Sequence, residues 1–522
     1  MDALADSLKV IADWITQHIT MWALIATGLF LTVVTRGVQV RHLPTMIRQV
    51  ASSRSGARGG ISSFQAFAIS LAARVGVGNV FGVAAALLYG GPGAVFWMWV
   101  VALVGMATAF FEATLAQIFK VRAPDGSFRG GPAFYMARGM GGAGGRVMAG
   151  VFAVITLVTC GFIITSVQSN AVAGTLVAAL GGGEGSALPG FGGLSAAQLV
   201  VAGLVLVLTA VVVFGGIRAV ARVTEWMAPV MALIYIVLVA VVCLLNLGDF
   251  WRVIGRIISS AFAPEPLVGG LGGGVLAAVI NGTKRGLFSN EAGQGTAPNA
   301  AATATVAHPV QQGLIQSLGV FVDTIVVCTA TAFVILIAGP DTWTAPGANP
   351  STLTTLAIAH GLGGWTVLPM AVLIFVLAYS SIIAAYVYTD VNMDYLTGGR
   401  RWASWTVRVV SVASATAGAV LSLDVVWNAV DIAMAVMTLT NLVALIRLHR
   451  WGAGALRDYE DQLRAGAAEP VFRGRDNPRL PGDVPGGVWS SSDDADVTAA
   501  DSDDGSAPVQ PAASPAPATT EE

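Results

Sequence analysis

The sequence predicts an all-α, polytopic membrane protein built from two five-helix repeats of opposite orientation, with one extra helix ahead of them. Three observations carry that prediction. Of 522 residues, 55% are hydrophobic and only 11% charged, against roughly 25% charged in soluble domains, and mean hydropathy is +0.72. Runs of about 20 apolar residues, the length that crosses a bilayer, recur along the chain. Two of these runs are interrupted by glycine and polar residues at corresponding places in the two halves, which points to a transporter with inverted repeats.

Taken in order, eleven spans are read at 19–36, 61–89, 92–119, 147–180, 195–215, 225–246, 271–305, 313–339, 364–392, 403–422 and 424–446. The first stays as a helix. Asp2, Asp6 and Asp13 stand where a secretory signal would carry positive charge, so residues 1–60 form an N-terminal arm, that helix and a basic loop. Spans two to six (61–248) and seven to eleven (271–451) form the repeats, and five crossings in each force opposite insertion. Stretches rich in glycine and proline, such as 181–193 and 339–351, read as loops. Within 249–270, DFWRVIGRIISSAFA is short and mixed, as suits an amphipathic helix at the membrane interface. Residues 452–522 turn acidic and rich in Pro, Ala and Ser, and are expected to form a disordered cytoplasmic tail without a transport role.

Arginines set the orientation. Arg36, Arg41, Arg48, Arg54 and Arg58 follow span one; Lys120, Arg122, Arg129, Arg138 and Arg146 follow span three; Arg218 and Arg222 follow span five; Arg400 and Arg401 follow span nine. These loops are expected in the cytoplasm, which puts the N-terminus outside and the C-terminus inside. The alanine- and arginine-rich, lysine-poor composition suggests a bacterium, hence its inner membrane. No GxxxxGK[ST] loop and no HExxH occur, so neither an ATP motor nor a zinc hydrolase is supported, and no enzyme activity is expected. A net charge of −2 says little about partners, and no nucleic-acid partner is expected. Cys160, Cys243 and Cys328 lie in apolar runs and read as small hydrophobes.

The breaks carry the candidate site. Non-helical backbone at membrane depth is tolerated only where it lines a protein-buried or watery cavity. It also frees half-helix ends whose N–H groups suit a carboxylate and whose carbonyls suit a cation. In the first break, Gly76 and Gly78 let backbone approach a ligand, and Asn79 either contacts substrate or ion or glues helices together. In the second, RGLFSNEAGQGTAPNAA (285–301), the candidates are Phe288, Ser289, Asn290 and Gly293. Phe288 either walls a small pocket or packs. Glu291, a costly intramembrane charge, has three open readings: a brace paired with Lys284, Arg285 or Arg74 or bonded to the broken backbone, an ion-coupling group, or a substrate contact. Glu112, Asp323, Asp390 and Asp431 read as structural.

GGPGAVFWMWVVALVG (90–105) and RGLFSNEAGQGTAPNAA, with VGVGNVFGVA (75–84) and AHPVQQGLIQSLGVFVDT (307–324), resemble the signatures of the alanine or glycine:cation symporter family, also called sodium:alanine symporters. The resemblance spans about residues 20–450. It implies a leucine-transporter-like 5+5 inverted repeat with one extra N-terminal helix, importing alanine or glycine with a cation, usually sodium. It implies sodium ligands at the carbonyls of Ala72 and Val75 and the hydroxyls of Ser380 and Ser381, and a substrate-facing amide at Gln168. Where the family pattern has a threonine this chain has Val77, so no ligand role passes to that side chain. A small amino acid, sodium and the bilayer are thus the expected partners, with no further cofactor and no obligate protein partner. A passive facilitator for small zwitterions and a proton-coupled symporter are the alternatives.

Overall fold

The computed structural model describes residues 10–53, 60–123, 126–179, 194–263, 274–345, 348–421 and 424–489. The regular secondary structure of the described chain is helical apart from a small hairpin, Val121–Arg122 paired with Phe128–Arg129. Its main helices are α1 (Val10–Val34), α2 (Ser63–Arg74), α3 (Gly78–Gly90), α4 (Gly93–Ile118), α5 (Gly142–Val177), α6 (Ala196–Phe214), α7 (Gly216–Leu245) and α8 (Leu247–Ala261). They continue with α9 (Gly274–Asn290), α10 (Ala297–Ala301), α11 (Pro309–Ile337), α12 (Pro350–Leu362), α13 (Val367–Thr397), α14 (Arg401–Val420) and α15 (Asp424–Arg464).

Eight of these are long and apolar enough to cross a membrane, and α2 with α3, bent by 46° at their junction, make a ninth crossing if counted as one. These nine correspond to nine of the eleven expected spans. The seventh and tenth correspond to α9 with α10 and to α14, which are shorter or more polar. Several starts are written locally: Ser62 with Gln65, Ser195 with Gln198 and His308 with Gln311 form reciprocal capping boxes, which satisfy backbone donors left free at a helix start. Helix α4 is the central post, buried along most of its length and packed most heavily on α11 and α9. Helix α8 buries Val253, Ile257 and Ala261 on one side and exposes Trp251, the one-sided pattern expected there; residues 264–270 and the loop at 181–193 lie outside the described residues.

The expected disordered tail from 452 is corrected for its first part. Helix α15 continues to Arg464, and residues 465–489 fold back as a strap over the arginine-rich end of the bundle. Phe472 donates its N–H to Ala307 O (3.0 Å) and packs edge-on against the His308 ring. Arg138 reaches Pro485 O (3.2 Å), and the Trp489 indole donates to Gln117 O (3.1 Å). Phe472 and Val484 are buried. These few apolar and aromatic anchors find a groove ready for them, and burying an aromatic side chain offsets much ordering entropy. The acidic run itself lies at 490–522, outside the described residues.

The candidate substrate and ion site

Each break is held open by side chains that take over lost helical hydrogen bonds. Helix α2 ends at Arg74, the chain turns through Val75 and Gly76, and α3 starts with a π-helical turn, Gly78–Gly82. Asn79 turns back on this corner: its Oδ1 accepts the Gly76 N–H (2.9 Å). The Gln168 carbonyl oxygen takes the Val77 N–H at 3.4 Å. The hydroxyls of Ser380 and Ser381, on α13, lie 3.1 and 3.0 Å from Ala72 O, and Ser381 is also 3.1 Å from Ala73 O. The α2 end, Val75 and the two serines are all buried, and the structure brings three of the predicted ion ligands, Ala72 O and the Ser380 and Ser381 hydroxyls, together. Arg74 is buried beside them and donates to Gln316 O and Oε1, each at 3.2 Å.

At the second break α9 stops at Asn290 and α10 resumes at Ala297. Between them Glu291, Gly293 and Gly295 have φ of 55°, 85° and 83°. Left-handed backbone suits glycine and costs other residues about 1–2 kcal/mol, so the glutamate sits in a strained conformation. Glu112 of α4 braces this segment, accepting the N–H groups of Gly293 (3.0 Å) and Gly295 (2.8 Å). Asn441 of α15 donates to Glu112 (2.6 Å) and to Gly293 O (3.0 Å), and Tyr135 hydrogen-bonds Asn441 in turn. Glu291 pairs with none of its expected cations. Thr296 donates to its carboxylate (2.8 Å), while Lys284 is bound to Asp13 and Asp431.

The two breaks meet at Asp323. This residue lies in a π-helical stretch of α11, Phe321–Cys328. Its carboxylate accepts from Asn79 Nδ2 (2.6 Å), Ser289 Oγ (2.9 Å) and Thr324 Oγ1 (2.8 Å). Cys328 lies against the same pair, 3.4 Å from Asn79 Nδ2 and 3.1 Å from Ser289 Oγ. Asn290 donates to Thr324 (3.2 Å). Asp323, read from sequence as structural, thus bonds to both breaks, and Cys328, which contacts the same two residues, is more than an apolar filler. The available signal was position: a lone carboxylate midway along an apolar span is a functional candidate by default.

A cavity of about 610 Å³ opens on the face carrying residues 349–356 and reaches the breaks at Val77, Gly82 and Phe288. Phe288 forms its inner wall. Its ring lies so near Gly78 that a Cβ there would be 3.1 Å away. The other predicted substrate residues, Gly76, Gly78, Asn79, Gln168, Ser289, Asn290 and Gly293, are buried behind that wall. From the opposite face a second cavity of about 910 Å³, lined by Arg122, Arg129, Arg138, Arg218, Arg400 and Arg401, ends at Thr303 and Asp390 without touching either break. The arginine loops after spans three, five and nine therefore share one face.

The chain is 40% identical over 482 residues to the amino-acid carrier protein AlsT of Bacillus subtilis, covering 92% of this chain and 97% of that one. It is 36% identical over 434 residues to the sodium/alanine symporter AgcS of Methanococcus maripaludis, covering 81% and 90%. A crystallised variant of the Eremococcus coleocola manganese transporter aligns at a TM-score of 0.44 and 15% identity, over 78% of this chain and 81% of that one. The sodium:alanine symporter family profile matches residues 1–474, and this chain belongs to that transporter family.

Proposed function

We propose that the protein is a secondary active symporter that imports a small neutral amino acid, alanine or glycine, with sodium, by alternating access around its two broken helices. The observation that carries the reading is the junction of those breaks: Asp323 bonds Asn79 of one and Ser289 of the other, directly behind a cavity that ends at Phe288. In this reading eleven segments cross the bacterial inner membrane, with α9–α10 as one broken crossing, and spans two to six and seven to eleven form inverted repeats. The N-terminus lies outside and the arginine-rich face lies in the cytoplasm. The 610 Å³ cavity is then the outer vestibule, and the arrangement is outward-facing.

Sodium takes the carbonyls of Ala72 and Val75 and the hydroxyls of Ser380 and Ser381. Neutral oxygens suit a hard cation, and the serines already face Ala72 O. The amino acid lies between Gly76, Gly78, Gln168 and the second break at Ser289 and Asn290. Its carboxylate takes over the Val77 N–H, whose 3.4 Å bond to Gln168 is the longest at the corner, and its ammonium meets carbonyl and amide oxygens. Phe288, packed against Gly78, is the wall that would limit the substrate side chain to a hydrogen or methyl. Occupancy biases the breaks toward the inward-open arrangement only by as much as the ligands bind it better.

Reconstitution in liposomes tests the reading. Labelled alanine should accumulate against its gradient when inward sodium is imposed. Downhill equilibration alone would establish a facilitator, and accumulation driven by pH without sodium would establish proton coupling. Ser381→Ala should raise the sodium concentration for half-maximal uptake about tenfold, the equivalent of ~1.4 kcal/mol, with expression unchanged.

A further inference from the structure

The 610 Å³ cavity has one charged residue among its described lining, Arg285. Arg285 lies three residues before Phe288 on α9, so the two side chains stand on one face, Arg285 about 4.5 Å nearer the mouth. Among the described residues its guanidinium has no hydrogen-bond or ion-pair partner, and its Nε is buried without one. The neighbouring cation is different: Lys284 is tied to Asp13 (2.9 Å) and Asp431 (2.6 Å). Among the described residues no carboxylate lines the cavity, whose remaining polar wall includes Asn170, Thr175, Asn349, Ser351 and Thr352.

A half-buried, unpaired guanidinium is costly to keep. Its planar fork matches a carboxylate in a two-bond pairing that an ammonium does not offer. Set in a low-dielectric funnel, the charge also concentrates anions at the mouth. We propose that Arg285 forms an outer carboxylate-capture site, separate from the site at the breaks, where the α-carboxylate of the incoming amino acid docks before the molecule passes Phe288. The substrate's role in this step rests on the symport reading; the existence of the anion site does not. Asn170 donates to Leu421 O (3.0 Å), so its own carbonyl oxygen is the acceptor on the opposite wall for the ammonium group. Because the capture site contains none of the Ala72, Val75, Ser380 or Ser381 oxygens, it works without sodium.

Two measurements on the full-length protein test this. The first is calorimetric binding of propionate, a carboxylate without the amino group, in sodium-free choline buffer. Wild type should bind it with a dissociation constant of about 1 mM or weaker; Arg285→Gln should not bind it, and Arg285→Lys should bind it more weakly than wild type. The second is initial-rate alanine uptake under a sodium gradient. Arg285→Gln should raise KM about tenfold, or ~1.4 kcal/mol, with little change in maximal rate. Raising ionic strength with choline chloride should raise KM in wild type but not in Arg285→Gln, since screening removes a charge effect that the variant lacks. Propionate binding equal in wild type and Arg285→Gln would overturn the proposal. So would Lys and Gln variants equally impaired in thermal stability and KM, which would make Arg285 a brace. Wild-type uptake indifferent to sodium would sink the symport reading alone, because the propionate comparison stands without it.

Discussion

At the scale of single residues, the site is a set of exchanges between side chains and interrupted backbone. Glu112 takes two N–H groups that α9 and α10 leave unpaired. A buried N–H left without an acceptor costs about 1–3 kcal/mol, and in lipid no water can substitute. Glu112→Gln, which puts an amide donor among donors, is therefore expected to lower the thermal unfolding midpoint in detergent by several degrees. Asp323→Asn should act differently. Two of its three donors, Ser289 and Thr324, are hydroxyls that can turn to accept from an amide, unlike the fixed N–H groups at Glu112, so the variant should express and remain folded while sodium-driven uptake falls at least about tenfold. Uptake near wild type in Asp323→Asn would show that the bridge is only structural. Asn79, Ser289 and Asn290 stand out in the sequence because polar groups inside apolar runs are rare, whereas the Ser380–Ser381 pair is singled out only through the family resemblance. The partners of Glu291 and Glu112 were not legible, since they depend on which faces of α4, α11 and α15 meet, and a single chain's spacing does not specify that.

At the scale of elements, the breaks themselves were legible to within a few residues. Glycine, asparagine and proline inside a bilayer-length apolar stretch contradict a continuous helix, and α2–α3 and α9–α10 part at those residues. The π-helical turns at Gly78–Gly82, Thr159–Ile164 and Phe321–Cys328 were not legible. An extra residue per turn leaves no composition signal, although such turns gather at functional sites. A pair of alanine substitutions separates conformational need from mere smallness. Gly293 has φ 85°, and a Cβ there would lie 2.7 Å from Leu24; Gly150, in α5, has open space around it. Gly293→Ala should destabilise by at least ~1–2 kcal/mol from backbone strain alone, whereas Gly150→Ala should be neutral or stabilising by up to ~1 kcal/mol. Thermal unfolding of both variants in the same detergent makes the comparison.

At the scale of the whole molecule, composition placed the chain in a membrane, but averaging over 452–522 hid the ordered strap. Its anchors, Phe472, Val484 and Trp489, are few among polar neighbours, and the acidic run beyond them dominates the average. Truncation after Trp489 should leave stability and uptake unchanged, while truncation after Arg464 strips contacts to Gln117, Arg138 and Ala307 and should lower yield and melting temperature. Equal behaviour of the two truncations would show that the strap contributes nothing. The meeting of the breaks has a further use. Cys328 is buried between Asn79 and Ser289, so with Cys160 and Cys243 replaced by serine the protein carries its own reactive reporter, needing no introduced cysteine. A maleimide can modify that thiol only when the two halves part, and the labelling rate with and without sodium and alanine becomes a direct record of how often the centre of the molecule opens.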